Sequence, residues 1–292
     1  HTFSVAGSGS AGDNISFTTV AKLDANSRIS LSNNDAGGTT GTDSTSGNTL
    51  FGYLAGSSIQ DTGIDNTYIG HKAGASTTTG QNNTAIGARA LTTITTSRGS
   101  VAIGEQSGYS VTDHGNNIFI GCQAGYFQKG ESNVFIGKDA GLGAAGSSAQ
   151  DGITSVGFKS LESLTSGQRN TAVGFESLKS NTIGDKNTAV GYQALESFNA
   201  DTDGHGHNTA VGHNAMQGNI TGTDNTAIGH MSAFSGTNNM TAGDNNTFVG
   251  SLTSPSSATP TNQTVIGYNA VGQADNSVTL GNSLVTAVYM SQ

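Results

Sequence analysis

Tryptophan is absent from this 292-residue sequence, cysteine occurs once, proline twice, and charged side chains make up only 11%. A single cysteine, Cys122, excludes a disulfide framework within the chain and leaves the redox compartment open. No apolar run reaches the length that spans a bilayer, so membrane insertion is not expected. The net charge of −9 argues against wrapping nucleic acid or lying on an anionic membrane, since both need basic stripes. Globular chains carry about 25% charged residues, and a disordered acidic chain would be rich in Glu, Lys and Pro. Neither description fits. Without an initiator methionine or signal peptide, the stretch from His1 to Gln292 reads as a processed product or an ordered fragment.

What is present is small: 43 glycines among Ser, Thr, Asn and Ala. Such residues build neither long amphipathic helices nor a thick core, and they suit a fibrous β architecture. The arrangement is repetitive. Asn83-Thr-Ala-Ile-Gly87, Asn170-Thr-Ala-Val-Gly174, Asn187-Thr-Ala-Val-Gly191, Asn208-Thr-Ala-Val-Gly212 and Asn225-Thr-Ala-Ile-Gly229 are near-identical. Degenerate copies extend the series from Gly52 to Gly281, with 17 residues as the usual period and longer intervals such as Gly137–Gly157 and Gly191–Gly212. The residue before each glycine is large and apolar, from Phe51 to Leu280, and two positions earlier stands a β-branched residue, from Thr49 to Val278. These two columns share one face of a strand, expected to be the core face. The variable column between them, which includes Ala172, Phe119 and Tyr68, is expected on the opposite face. After the glycine come a small residue and then Leu or Gly, as in Ala194-Leu195 and Ala124-Gly125, which reads as a second short strand beyond a Gly-permitted bend.

Two short strands and turns per repeat predict an all-β solenoid of about fourteen coils, stacked about 4.8 Å apart. The asparagine that opens most copies is expected to form a ladder at a turn. Residues 48–292 form the repeat region. Residues 1–47 are a β-rich connecting segment, in which Asn14–Val20 and Ser27–Leu31 alternate like strands and Gly37–Gly47 reads as a linker. With so few large apolar side chains per coil, the core is expected to be shared between chains.

The segment Asn187-Thr-Ala-Val-Gly-Tyr-Gln-Ala-Leu195 closely resembles the repeats in the head domains of YadA-like trimeric adhesins and in phage tail fibres, where an endosialidase-type intramolecular chaperone often follows. The resemblance covers roughly residues 48–290, and Asn276–Asn282 with Val285–Tyr289 looks like the exit strand of such a head. It implies a left-handed parallel β-roll, a homotrimer around one axis, and an extracellular attachment role on a virion or cell surface with a glycan or protein receptor. The 17-residue period is longer than the adhesin coil, so collagen binding is not carried over. A filament without a host receptor and a glycan-hydrolysing tailspike are the alternatives.

No catalytic constellation stands out: Gly-x-Ser-x-Gly in a strand–turn–helix context, Cys-x-x-Cys and His-Glu-x-x-His are missing. Asp61, Asp65, Asp185, Asp224 and Asp244 are scattered through turns, and few aromatics are available to line a sugar-cleaving groove. No enzyme is expected. The insertion Asp201-Thr-Asp-Gly-His205-Gly-His207 has ligand character. Three copies of His205 and His207 would resemble the His-x-His iron sites of some trimeric phage fibres, and imidazole suits Fe, Ni or Zn. Calcium on Asp201 and Asp203 fits less well, because the distal Glu of a calcium loop is missing. The plain alternative is a solvated loop without cofactor. Cys122 reads as a free structural thiol. The calcium-binding RTX nonapeptide pattern fails on its period and its missing Asp column, and ice binding is disfavoured because the Thr column shares the expected core face with Val and Ile. The insertions Leu142–Gln150, Phe198–His207, Phe234–Asn245 and Leu252–Asn262 are the candidate receptor contacts.

Overall fold

The computed structural model describes residues 2–6, 17–23, 29–31, 46–147, 150–202, 205–234 and 238–289. Among them there is no helix. Strands β1 (Thr2–Ala6), β2 (Phe17–Leu23) and β3 (Ile29–Leu31) form an antiparallel sheet in sequence order. The strands expected near Val20 and Leu31 are therefore present. The proposed Gly37–Gly47 linker and Asn14–Ser16 lie outside the described residues, apart from Ser46 and Gly47.

From β4 (Thr49–Phe51) to β17 (Val278–Leu280), every repeat contributes one three-residue strand to a single fourteen-stranded parallel sheet, each strand pairing with the next in the chain. The register never slips: Thr171 lies beside Thr188, Ala172 beside Ala189, Val173 beside Val190. About thirteen turns of solenoid result. The second strand expected after each glycine is replaced by a turn. The residues two and four positions beyond the glycine hold left-handed backbone, for example Gln193 (φ 51°) and Leu195 (φ 51°), which a strand cannot contain. Gly87, at φ +135°, allows the bend, and a Cβ there would sit 2.5 Å from the carbonyl oxygen of Gly104 in the next coil.

The facing of the strand is the reverse of the sequence expectation. The middle column points into the solenoid: Tyr68, Ala85, Ala102, Phe119, Phe135, Ala172, Ala189, Ala210, Ala227, Phe248 and Val265 are all fully buried. The Thr and Val/Ile columns point outward and stay half-buried or exposed. The reason is volume. Between the strand and the turn after the glycine there is room for one large side chain, which comes from either of two places, and further along some coils Ile94, Leu164 and Phe198 fill the rest of the interior. Where the strand carries a ring, the position four beyond the glycine is Gly, or Ser254 in the coil of Phe248. A Cβ on Gly74 would collide with the ring of Tyr68, one on Gly125 with Phe119, and one on Gly141 with Phe135. Where the strand carries Ala, that position is mostly Leu or Met, and Leu91, Leu178, Leu195 and Met216 are buried there. Each such side chain stabilises the coil by about 1.5–3 kcal/mol. A single chain thus encloses a buried core of its own.

Leu252–Asn262 is not an insertion. Gly250 to Gly267 spans the usual 17 residues, Ser254 bridges Val271 and Asp244 bridges Thr261, so the backbone keeps its coil. Pro255 and Pro260 are both buried.

Two outcomes follow from this packing. Ala172→Asp with Ala210→Asp should prevent folding, because each carboxylate enters a dry core at several kcal/mol. Val173→Asp with Val211→Asp, on the outward face, should leave the far-UV circular dichroism intact; unfolding of the second pair would contradict the assignment of faces. The buried Tyr68 hydroxyl shares a hydrogen bond with Thr77 Oγ1 (2.9 Å) and donates to Asn66 Oδ1 (3.2 Å). Burial pushes its pKa up from 10.0 to about 12. A raised folded-state pKa means stability is intact below pH 10.0 and falls as pH climbs towards about 12, where the unfolded chain loses the proton first. Chemical denaturation of Tyr68→Phe across that window should show a shallower alkaline decline than the parent.

Candidate functional surface

The residues singled out for metal binding do not converge within one chain. His207 donates from Nδ1 to Asp224 Oδ1 (3.1 Å) and accepts at Nε2 from Lys186 Nζ (3.4 Å). Both ring nitrogens are therefore engaged, one of them by a cation. His205 turns to a different carboxylate, with Nδ1 3.7 Å from Asp201 Oδ1. Asp203 lies outside the described residues. Among the described residues no three His, Cys, Asp or Glu side chains gather as a metal site. Cys122 is a free, half-buried thiol in the column just after the glycines.

Many of the carboxylates serve the stack. Asp185 Oδ1 accepts the Gln168 amide (2.7 Å) and Asp244 Oδ1 the Thr223 amide (2.8 Å), each tying one coil to its neighbour. Glu176 accepts from Lys179 Nζ (2.8 Å) and from Gln193 Nε2 (2.8 Å), and these hydrogen bonds hold its carboxyl below the usual carboxylate range. Of the insertions, Leu142–Gln150, Phe198–His207 and Phe234–Asn245 are described only in part.

The feature missed at the sequence level is the outward face of the long sheet. Its columns run in register from Phe51, Ile69 and Ile86 to Ile266 and Leu280, with Thr or another β-branched residue beside each. At a rung spacing of about 4.8 Å the strip is roughly 60 Å long. In Val101–Ile103, Ile118–Ile120 and Val134–Ile136 both outward positions are aliphatic. Those three rungs interrupt the Thr column in mid-stack, so the face is not a continuous hydroxyl array of the kind ice binding would use, even though the Thr column does face outward. The signal was available: the matched choice of Gly or Leu with the middle column identifies which side is inward.

Beyond the glycines lies a second outward column, and there rings stack on rings. Phe158 stacks on Phe175 at 5.2 Å, Phe175 on Tyr192 at 5.2 Å, Tyr192 on His213 at 4.9 Å, and His213 on His230 at 5.2 Å. All five remain exposed despite the stacking. Lys138 and Lys159 place their ammonium groups 5.9 and 5.6 Å from the Phe158 ring centroid, at the start of this ladder.

With His205 and His207 in separate pairs, thermal melts with and without a chelator should coincide. A chelator-dependent loss of stability that His205→Ala with His207→Ala abolishes would instead establish a metal site. No family model matches the chain, and no curated protein sequence matches it significantly.

Proposed function

We propose that this chain is a non-enzymatic attachment rod: one protomer of an extracellular homotrimeric fibre, of the kind that serves as a phage tail fibre or surface adhesin, engaging a cell-surface glycan or protein receptor. In this reading the solenoid is a left-handed β-roll and works as a spacer and display scaffold. No resident cofactor or reaction is part of it.

The observation that carries the proposal is the unpartnered apolar strip along the whole sheet. Monomeric proteins rarely leave more than a few hundred Å² of contiguous apolar surface open. One Val, Ile, Leu or Phe column over roughly 60 Å, flanked by a Thr-rich column, presents on the order of a few hundred Å² of apolar surface, a substantial part of the ~800 Å² per partner that stable association buries. Three such faces turned towards one axis would cover each other. The resemblance of the Asn-Thr-Ala-Val-Gly repeats to trimeric adhesin heads and tail fibres gives the same arrangement independently. Many carboxylates are tied into cross-coil bonds, which supports binding over hydrolysis.

Sedimentation velocity should report a trimer that persists on dilution to micromolar concentration, and a glycan array should register binding without release of reducing sugar. A folded monomer would defeat the trimer, and turnover of a bound glycan would replace the adhesin with a tailspike.

A further inference from the structure

The ring ladder lies beside the apolar strip, separated from it by bare backbone. Val173, Gly174 and Phe175 show the pattern in one coil. The valine points outward, the glycine has no side chain and lies against the next coil's glycine, and the ring stands out again. Repeated from Val156 to His230, this gives five rungs of glycine backbone, bordered on one side by Val and Ile and on the other by stacked rings. Elsewhere the column carries a shorter stacked pair, Tyr53 and His71 (5.7 Å), then Ala88, Glu105, Cys122 and Lys138, and beyond the ladder Ser251 and Tyr268.

Resting on the reading that copies associate through the sheet face, we infer that the ring ladder of residues 158–230 is the anchor of that association, with the glycine strip receiving an outward aliphatic column of a second copy in parallel alignment. Three arguments select that occupant. The first is commensurability: a surface that repeats every rung over five rungs is matched along its length by another ladder of the same rung spacing, and this chain carries such ladders itself. The second is exposure. Phe175 is 40% and Tyr192 43% exposed in the single chain, although each is stacked on both faces. Their free edges, rather than their faces, remain to be covered, which aliphatic side chains do and a sugar ring stacking on an aromatic face does not. The third is area and continuity: the ladder adjoins the strip and extends it towards the size of a stable interface, and buried aromatics at the middle of an interface dominate its energy.

The test compares the parent chain with Phe158→Ser/Phe175→Ser/Tyr192→Ser, and uses Tyr109→Ser/Tyr126→Ser, a stacked ring pair in other coils, as control. The ladder variant should raise the dissociation constant of the assembly at least about a hundredfold, with the control unchanged and circular dichroism preserved in both. Because the chain has no tryptophan, Phe175→Trp supplies a single reporter that does not depend on the triple variant folding. Its emission should be blue-shifted and shielded from acrylamide in the assembly, and exposed when Val173→Asp/Val211→Asp is added. A parent chain that is monomeric overturns both the trimer and this inference. A parent trimer indifferent to the ladder variant, or one in which the reporter stays exposed, overturns the inference alone and leaves the ladder as a site for a foreign ligand.

Discussion

Each coil passes its register to the next through a buried asparagine amide. Asn187 receives it by donating its backbone N–H to Asn170 Oδ1 (2.9 Å) and hands it on by accepting the Asn208 N–H at its own Oδ1 (3.1 Å). Asn225 and Asn246 continue the chain of bonds, and Gln263 closes it on Asn246 Oδ1 (2.9 Å). The side-chain nitrogen is also engaged: Asn208 Nδ2 donates to the carbonyl of Gly222 (2.9 Å), three residues before Asn225 in the next coil. Leaving one such amide unpaired would cost about 1–3 kcal/mol. A coil shifted by one residue would break the set, so the ladder excludes slipped stacks as well as stabilising the right one. Where the asparagine is replaced, part of the function survives. Ser100 Oγ accepts the Asn117 amide at 3.4 Å, and Ile153 still donates its N–H to Asn133 Oδ1 (2.8 Å) but offers no amide to the next coil.

Once register is fixed, the remaining features follow from it. Aligned strands put side chains of one kind in straight columns, so the inward column can be matched in volume with the turn opposite it. The outward columns become continuous strips instead of scattered apolar residues. A strip that would be unremarkable as one Val per coil becomes a surface roughly 60 Å long when the rungs stack at about 4.8 Å. Rings placed after successive glycines meet face to face for the same reason. The proposed assembly through this face is a consequence of the repeat's alignment.

Much of the fold was legible because the pattern is repetitive. The glycine period identified the coils and their order, and the recurrent asparagine identified the ladder, which proves to be buried. What misled was the chemistry of the β-branched columns. Thr and Val at alternate positions ordinarily mark a buried face, but in this narrow solenoid the inner side of the strand takes a small side chain or a single ring, as Ala189, Ser155 and Phe119 show. The pairing of Phe135 with Gly141 and of Ala189 with Leu195 is written in the sequence and reveals the inner side. Positive φ at Leu178 or Gln193 was not legible, since nothing in either residue favours it; the stack imposes it. The candidate site was read less well. His205 and His207 drew attention by their spacing, whereas the exposed strip is made of the commonest residues of the repeat and becomes a feature only in register.

The central claim is that the asparagine ladder carries register from coil to coil, and amide hydrogen exchange resolved along the chain tests it most directly. In the parent, the amides of Asn187, Thr188, Asn208 and their counterparts should exchange slowly and to similar extents over the stack. In Asn187→Ala, protection should fall first at Asn208, whose acceptor is lost, and at the coils on either side, while distant coils near Asn66 and Asn83 keep theirs. Protection unchanged at Asn208 in the variant, or fast exchange of these amides in the parent, would contradict the account.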